Sequence, residues 1–354
     1  MATVEGTMEA LVLEAPGSFG IREVDVPEPG PLEVLCRVRA IAICGTDPHI
    51  IEGDHEGFWP PGFPFIPGHE WAGEVVTVGA GAERFGWKVG DRVAGTSHAA
   101  CGICERCVQG RYNLCEHYGN PELHSHYGHN ATGAYATYVV HSIKCVFRIP
   151  DTMPYDEAAM LDPASISLHT VNRAGIGAGA SVLVTGAGVI GLLAAECARA
   201  LGAGQVIVAG RGARLQVAAD LGHQTVDVSE GDPVGPIRAL TGGRGVDAAL
   251  ECAGVVETAK WCLRSLRRGG RCVVVGIPLE ELAVPLKEIV LDELELLGAR
   301  ASAGEMAQVI PLVANGQVRL KPLITHHFPL SEFATAYEVF RTRQDGALKV
   351  IVEP

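Results

Sequence analysis

Between positions 44 and 70 the chain reads Cys44-Gly45-Thr46-Asp47-Pro48-His49 and then Gly68-His69-Glu70, a thiol, two imidazoles, carboxylates and a hydroxyl in one short stretch. A zinc ion that keeps one position open for substrate takes about three mixed sulfur, nitrogen and oxygen ligands. The stretch supplies a thiolate, an imidazole and a carboxylate, and the further hydroxyl and imidazole are what a proton relay from a metal-held alcohol to water requires. Taken singly, each residue has a plainer reading, as a buried cysteine, a capping threonine or an unrelated histidine.

A second set of sulfurs stands at Cys101, Cys104, Cys107 and Cys115. Four thiolates on one loop close a tetrahedral shell and leave no position for substrate, so this spacing predicts a structural zinc. Gly102 and Gly110 suit a loop folded round an ion. The other six cysteines, Cys36, Cys145, Cys197, Cys252, Cys262 and Cys272, lie in apolar runs and read as small core residues.

A third pattern is Gly186-x-Gly188-Val189-Ile190-Gly191, the spacing of a dinucleotide-binding turn. The first glycine permits the turn, the second admits the pyrophosphate, and the third lets helix pack on strand. At the end of the next strand an acid would bind the ribose 2′-hydroxyl of NAD. Here Gly210 stands there, followed by Arg211 and Arg214, while Asp220 and Asp227 come later in the chain. A small residue with guanidinium groups beside it favours a 2′-phosphate, hence NADP over NAD. The competing reading is an Arg211 that stacks on adenine in an NAD enzyme. Gly276 and Ile277, past a later strand, are further cofactor-site candidates.

These residues need a scaffold of two kinds. Up to about residue 155, short alternating runs such as Glu33–Arg39, Gly73–Gly79 and Ala134–Val140, broken by Pro-Gly pairs, predict an antiparallel β domain. From about 180, short apolar strands (Ser181–Thr185, Gln205–Ala209, Val246–Cys252, Arg271–Val275) alternate with helices, which predicts a doubly wound parallel sheet. The mixed stretch from about 295 to 354, ending in Ala347–Val352, is expected to complete the first domain. The expected division is 1–155 with 295–354, and 156–294.

Composition sets the outer bounds. At 354 residues two domains are the default, and 47% apolar with 19% charged residues is ordinary for a globular chain. A net charge of −13 opposes a nucleic-acid or anionic-membrane partner, and no apolar run has the length of a membrane span. Glu5 and Glu9 stand where a signal peptide carries basic charge, so a cytoplasmic chain with reduced thiols is expected.

In this order, the motifs resemble the zinc-dependent medium-chain alcohol dehydrogenase family over essentially the whole chain. Cys44-Gly-Thr-Asp-x-His49-Ile resembles its polyol (sorbitol) and threonine dehydrogenase branch. The resemblance implies an α/β fold, with a GroES-like, mainly β catalytic domain and a Rossmann domain. It implies Cys44, His69 and Asp162 as catalytic zinc ligands, with Glu70 bound directly or through water. Asp162-Pro163 stands where the branch carries an acid-proline pair, usually with glutamate. Thr46 and His49 would relay the proton, and Asp47 would orient His69. Two zinc ions per chain, a small alcohol or ketone substrate and a homotetramer (or dimer) follow from the same likeness. The strand-like run Glu293–Gly298 would pair across a twofold axis.

The rival readings are a threonine-type dehydrogenase using NAD, a zinc-independent reductase of the same fold, and a catalytically silent redox sensor that keeps both sites. The segment from Ile51 to Ile66 and the loop His124-Ser125-His126-Tyr127-Gly128-His129 match no substrate pattern. Trp59 is either a pocket wall or a structural plug. The loop histidines read as solvated more readily than as a third metal site.

Overall fold

The computed structural model describes residues 4–54, 57–278 and 280–354; the parts of the readings above that fall on residues 1–3, 55 and 56 lie outside the described residues. The chain forms two compact units, Met1–Asp162 with Ile324–Pro354, and Pro163–Leu323.

In the first unit a hairpin of β1 (Thr7–Ala15) and β2 (Ser18–Asp25) precedes β3 (Glu33–Ala42), the short helix α1 (Asp47–Glu52) and β4 (Glu70–Val78). After these come β5 (Arg92–Gly95), β6 (His98–Ala99), α2 (Glu105–Val108), β7 (Ser125–His126), β8 (Tyr138–Ser142), β9 (Val146–Arg148) and α3 (Tyr155–Ala159). The third strand of the sequence reading thus starts at Tyr138, and Ala134–Ala136 lie ahead of it.

The chain then enters the second unit through α4 (Leu161–Ala174). Next are β10 (Ser181–Thr185), α5 (Val189–Ala200), β11 (Gln205–Gly210), α6 (Gly212–Asp220), β12 (Gln224–Asp227), α7 (Val234–Leu240) and β13 (Val246–Glu251). The unit continues with α8 (Val256–Ser265), β14 (Leu266–Val274), α9 (Leu286–Leu291), β15 (Glu295–Gly298) and α10 (Glu305–Ala314). The first unit resumes with β16 (Ile324–Pro329), α11 (Phe333–Thr342) and β17 (Lys349–Glu353).

The first unit's main sheet runs β16-β17-β3-β4-β5-β9, with β8 also on β3. Only β16 and β17 pair in parallel; the described pairings from β17 onward are antiparallel. Its core gathers Leu11, Ile41, Ile50, Trp71, Tyr135, Phe333 and Val350. The hydrogen-bonded contact of β17 with β3 is what brings the last strand home.

In the second unit six parallel strands run β12-β11-β10-β13-β14-β15. Every residue of β10, Ser-Val-Leu-Val-Thr, is buried, as a strand covered on both faces must be. The chain winds outward from β10 to β12 and then crosses to β13. That reversal opens a crevice at the carboxyl ends of β10 and β13, where doubly wound folds bind ligands. Ala- and Leu-rich α5 starts at this crevice and stops where Gly202 takes a φ of 97°. Strand β14 begins five residues before the Arg271 read from sequence, and it includes Gly269 and Gly270.

The second unit ends later in the chain than residue 294. His169 of α4 meets Glu305 of α10 at 2.8 Å, and Arg319 meets the buried Glu196 of α5 at 2.8 Å. These bonds tie residues 305–320 to the parallel-sheet unit.

Candidate functional site

Strand β3 delivers Cys44 just past its end, and β4 opens on Glu70 with His69 before it. Because β3 and β4 pair antiparallel, with Ala42 opposite Glu70, the two ends lie together. Ligand atoms of Cys44, His69 and Glu70 fall within 4.8 Å of one another. The mixed donor set suits zinc with an open position.

Three neighbours hold this set. Asp47 Oδ1 faces His69 Nδ1 at 3.7 Å, and its Oδ2 accepts bonds from the Cys44 amide (2.8 Å) and the Tyr135 hydroxyl (2.7 Å). At that distance the two atoms are not hydrogen-bonded, but the carboxylate faces Nδ1 and leaves Nε2 of His69 for a metal. Burial raises the Asp47 carboxyl, while His69, Tyr135 and the Cys44 amide oppose it. Lys349 of β17, fully within the core, donates to Glu70 at 2.5 Å and to the Ile43 carbonyl at 2.9 Å. Burial works against the Lys349 charge, but Glu70 and Cys44 hold its pKa above the usual lysine value. Burial and then Glu70 push the Cys44 thiol up, which a divalent cation offsets by taking the thiolate.

Asp162 is not within that three-residue set. It sits in the first turn of α4, buried, and burial pushes its carboxyl up to about 7, with His69 opposing and Glu70 adding. Thr46 caps α1 without a side-chain cap bond, and its Oγ1 is buried with no hydrogen-bond partner of ordinary geometry. It still lies near enough to Cys44 to lower that thiol slightly. His49 is on the surface of α1, 54% exposed, with Nδ1 2.6 Å from Asp54. The structure brings Thr46 to the ligand set and places His49 at solvent.

The four sulfurs of Cys101, Cys104, Cys107 and Cys115 also lie within 4.8 Å of one another. Sulfurs about 2.3 Å from a central zinc stand about 3.8 Å apart in a tetrahedron. Cys101 and Cys107 are 3.8 Å apart, and Cys104 and Cys115 4.0 Å. Amides of Ile103 and Cys104 donate to Cys101 Sγ at 3.4 Å, and Lys144 Nζ caps the Ala100 carbonyl at 3.2 Å. Amide bonds from Glu116 and Cys107 draw the Cys104 thiol down to about 6. The residues fit a closed zinc shell.

In the second unit, Gly186 has a φ of 94° and a Cβ there would stand 2.9 Å from Ala253. A Cβ on Gly191 would collide with the Gly186 carbonyl, whereas one on Gly188 would meet nothing within 4 Å. The middle glycine therefore faces open space, as a phosphate approach demands. Val189 and Ile190 in the first turn of α5 are half-exposed, and Ile277 beyond Gly276 is 81% exposed.

At Gly210 the missing acid has a steric side: a Cβ would stand 2.7 Å from the Ala187 Cβ. Its register partner on β12 is Asp227, whose carboxylate is engaged by the Ser229 amide and hydroxyl. Arg211, the N-cap of α6, is exposed and has no ion pair or hydrogen bond among the described residues. Arg214 already has a partner.

The histidine loop overturns its reading as solvated. His124, His126 and His129 are 1%, 4% and 4% exposed, and so is His98 at 6%. Trp59 packs edge-on against His126 and His129, with ring centres 5.4 and 4.9 Å away. A polar loop looks solvated in sequence; here the aromatic rings of Trp59 and Tyr118 cover it. Lys349 escaped sequence reading altogether, although a lone charge in the apolar run Ala347–Val352 is the signal of a buried partner.

Residues 30–151 match the alcohol dehydrogenase GroES-like domain, and residues 189–315 match the zinc-binding dehydrogenase domain. A sorbitol dehydrogenase from Bacillus subtilis is 35% identical over 99% of each chain. An L-threonine 3-dehydrogenase from Proteus mirabilis is 33% identical over 96% of this chain and 98% of its own. A zinc-binding dehydrogenase candidate from Sinorhizobium meliloti 1021, solved bound to NADP, superposes with a TM-score of 0.89 at 35% identity, covering 99% of this chain and 100% of its own.

Proposed function

We propose, for a chain that belongs to the zinc-dependent medium-chain alcohol dehydrogenase family, that it interconverts a secondary alcohol or polyol and its ketone with NADP as the favoured cofactor. Zinc and a nicotinamide dinucleotide are the cofactors of this oxidoreductase. The observation that carries the reading is the open cluster of Cys44, His69 and Glu70 beside the unpartnered Thr46 hydroxyl.

When bound, zinc polarises the substrate oxygen and the nicotinamide exchanges hydride with the carbinol carbon. Cys44, His69 and Glu70 would hold the metal, with Asp162 buried where it feels the charges of His69 and Glu70. Thr46 Oγ1 would accept the proton of the substrate hydroxyl as its own hydroxyl proton passes to water on the way to solvent. Asp47 orients His69, and Lys349 balances the charge of Glu70. His49, at the surface with Asp54, hands protons to water. The cysteine loop would hold a second, structural zinc.

NADP is favoured because Arg211 offers an unpaired guanidinium at the end of β11, and because the Sinorhizobium relative was solved with NADP. A charge-assisted bond to phosphate is typically ~1.5–3 kcal/mol, so Arg211→Ala should reduce any preference for NADP by roughly tenfold or more. Gly210→Asp is a poorer test, since the new side chain would first displace Ala187. The similarity to threonine 3-dehydrogenase keeps a hydroxy-amino acid as the second substrate reading.

A homotetramer, or a dimer within it, fits the edge position of β15 and the exposed Leu286, Val290 and Leu291 of α9 beside it. No helix among the described residues is long and apolar enough to cross a membrane, and the eleven unpaired cysteines suit the cytoplasm. The deciding experiment is a panel of secondary alcohols, polyols and L-threonine, run with NAD and with NADP and followed by reduced-nicotinamide absorbance. Turnover with none of them would end the reading.

A further inference from the structure

The buried histidines are built into one side of the candidate metal site by local structure. His98 and His126 are register partners of the antiparallel β6–β7 pair, and their rings stack 4.1 Å apart. The turn after β7 folds back, with the amides of His129, Asn130 and Ala131 donating to the His126 carbonyl at 2.8–3.1 Å, and the Asn130 side chain accepting from the His126 amide at 2.7 Å. That turn lays His129 on His126 with ring centres 3.6 Å apart. Gly128, at a φ of 74°, packs so closely on Gly68 that a Cβ would collide with the Gly68 carbonyl. The approach brings His129 to His69, 4.4 Å between ring centres.

The tautomer of His129 is fixed by its partner. His129 Nδ1 is 3.2 Å from the Tyr127 carbonyl, which can only accept, so Nδ1 carries the hydrogen and Nε2 is left as an acceptor. His126 Nδ1 meets the Tyr118 hydroxyl at 3.1 Å. Among the described residues no hydrogen bond reaches either Nε2. A 96%-buried ring with an unpaired acceptor nitrogen beside a metal ligand, as His129 is, is a provision for a ligand's donor group.

We propose that His129 is a specificity-determining residue that accepts a hydrogen bond from a second hydroxyl of the substrate, close to the carbinol being oxidised, with His126 stacked on it as a positioning residue. The inference rests on the dehydrogenase reading above and narrows its substrate to vicinal diols and longer polyols. An acceptor nitrogen does not complement a carboxylate, so the wall discriminates against hydroxy acids. Trp59, edge-on to both rings, fixes their tilt.

The test compares 1,2-butanediol with 2-butanol, which differ by one hydroxyl next to the reacting carbon. Wild-type enzyme should prefer the diol. His129→Phe keeps the ring and removes the acceptor, and it should lower the diol-to-alcohol ratio of kcat/KM by roughly three- to tenfold, the range for one hydrogen bond. His126→Phe should lower it less. His129→Gln, whose amide oxygen reaches the Nε2 position, should recover most of the ratio. A thermal-shift titration of the zinc-loaded protein gives a readout that needs no turnover: the diol should stabilise wild type more than 2-butanol does, and His129→Phe should erase the difference. Equal ratios and equal shifts in wild type and in these variants would overturn the proposal. Failure of wild type to turn over either alcohol while the diol-specific shift persists would count against the dehydrogenase reading and leave the wall supported.

Discussion

The two sulfur-bearing clusters use the same element of chemistry in opposite ways. Cys101, Cys104, Cys107 and Cys115 come from one loop, and its own backbone amides bond the first sulfur. Cys44, His69 and Glu70 come from the ends of two strands, and two of them face groups from elsewhere: Asp47, backed by Tyr135, for His69, and Lys349 for Glu70. A site that only holds the fold can be local. One that must leave a position open has to be held from outside, because its own ligands cannot close round the ion.

The sharpest way to break this contrast is to remove one sulfur from each cluster. Cys44→Ser should reduce kcat/KM by roughly 10³-fold or more, since polarisation by the metal is several kcal/mol of barrier, with a melting temperature near wild type. Cys104→Ser should instead lower the melting temperature by roughly 10 °C, as a structural site contributes folding free energy. Metal analysis should find about one zinc lost in each. Similar losses of stability in both would show that the two clusters do not divide the roles.

The open cluster should also depend on its neighbours unequally. Thr46→Ala removes the buried hydroxyl and should cost ~10²- to 10⁴-fold in kcat, within the range of general acid–base groups. If the variant keeps full kcat, another group carries the proton. Lys349→Met strands Glu70 as a buried, uncompensated charge, at about 3–5 kcal/mol for breaking such a pair. Urea unfolding would read that loss, and a loss under 1 kcal/mol would mean that Glu70 finds another partner. His49→Ala should cost least, less than about tenfold, because water can replace an exposed imidazole at the outer end of a relay. Its signature should be a changed pH profile of kcat, and an effect as large as that of Thr46→Ala would place His49 inside the site.

The sequence carried the closed cluster almost whole, since four sulfurs at loop spacing are the four that the structure brings together. The dinucleotide turn was as legible, because Gly186 and Gly191 answer steric needs that spacing expresses and Gly188 faces open space. What escaped were relations across the chain. Lys349 pairs with Glu70 only because β17 lies on β3. Burial of His126 and His129 depends on Trp59 and Tyr118, which no local pattern connects to them. Gly210 showed a missing carboxylate but not its contact with Ala187. Asp162 was carried by the acid-proline likeness; the structure puts it beside the open cluster and outside its closest three ligands.

The pairing of Glu70 with Lys349 also sets an order in time. The partners are 279 residues apart. At a synthesis rate of about 5–20 residues per second, Lys349 is made on the order of 15–60 s after Glu70. Throughout that interval a nascent chain carries the acid without its counter-charge, while the cysteine loop can already close on a metal. The closed cluster can thus be complete while the open one still lacks the charge that faces Glu70.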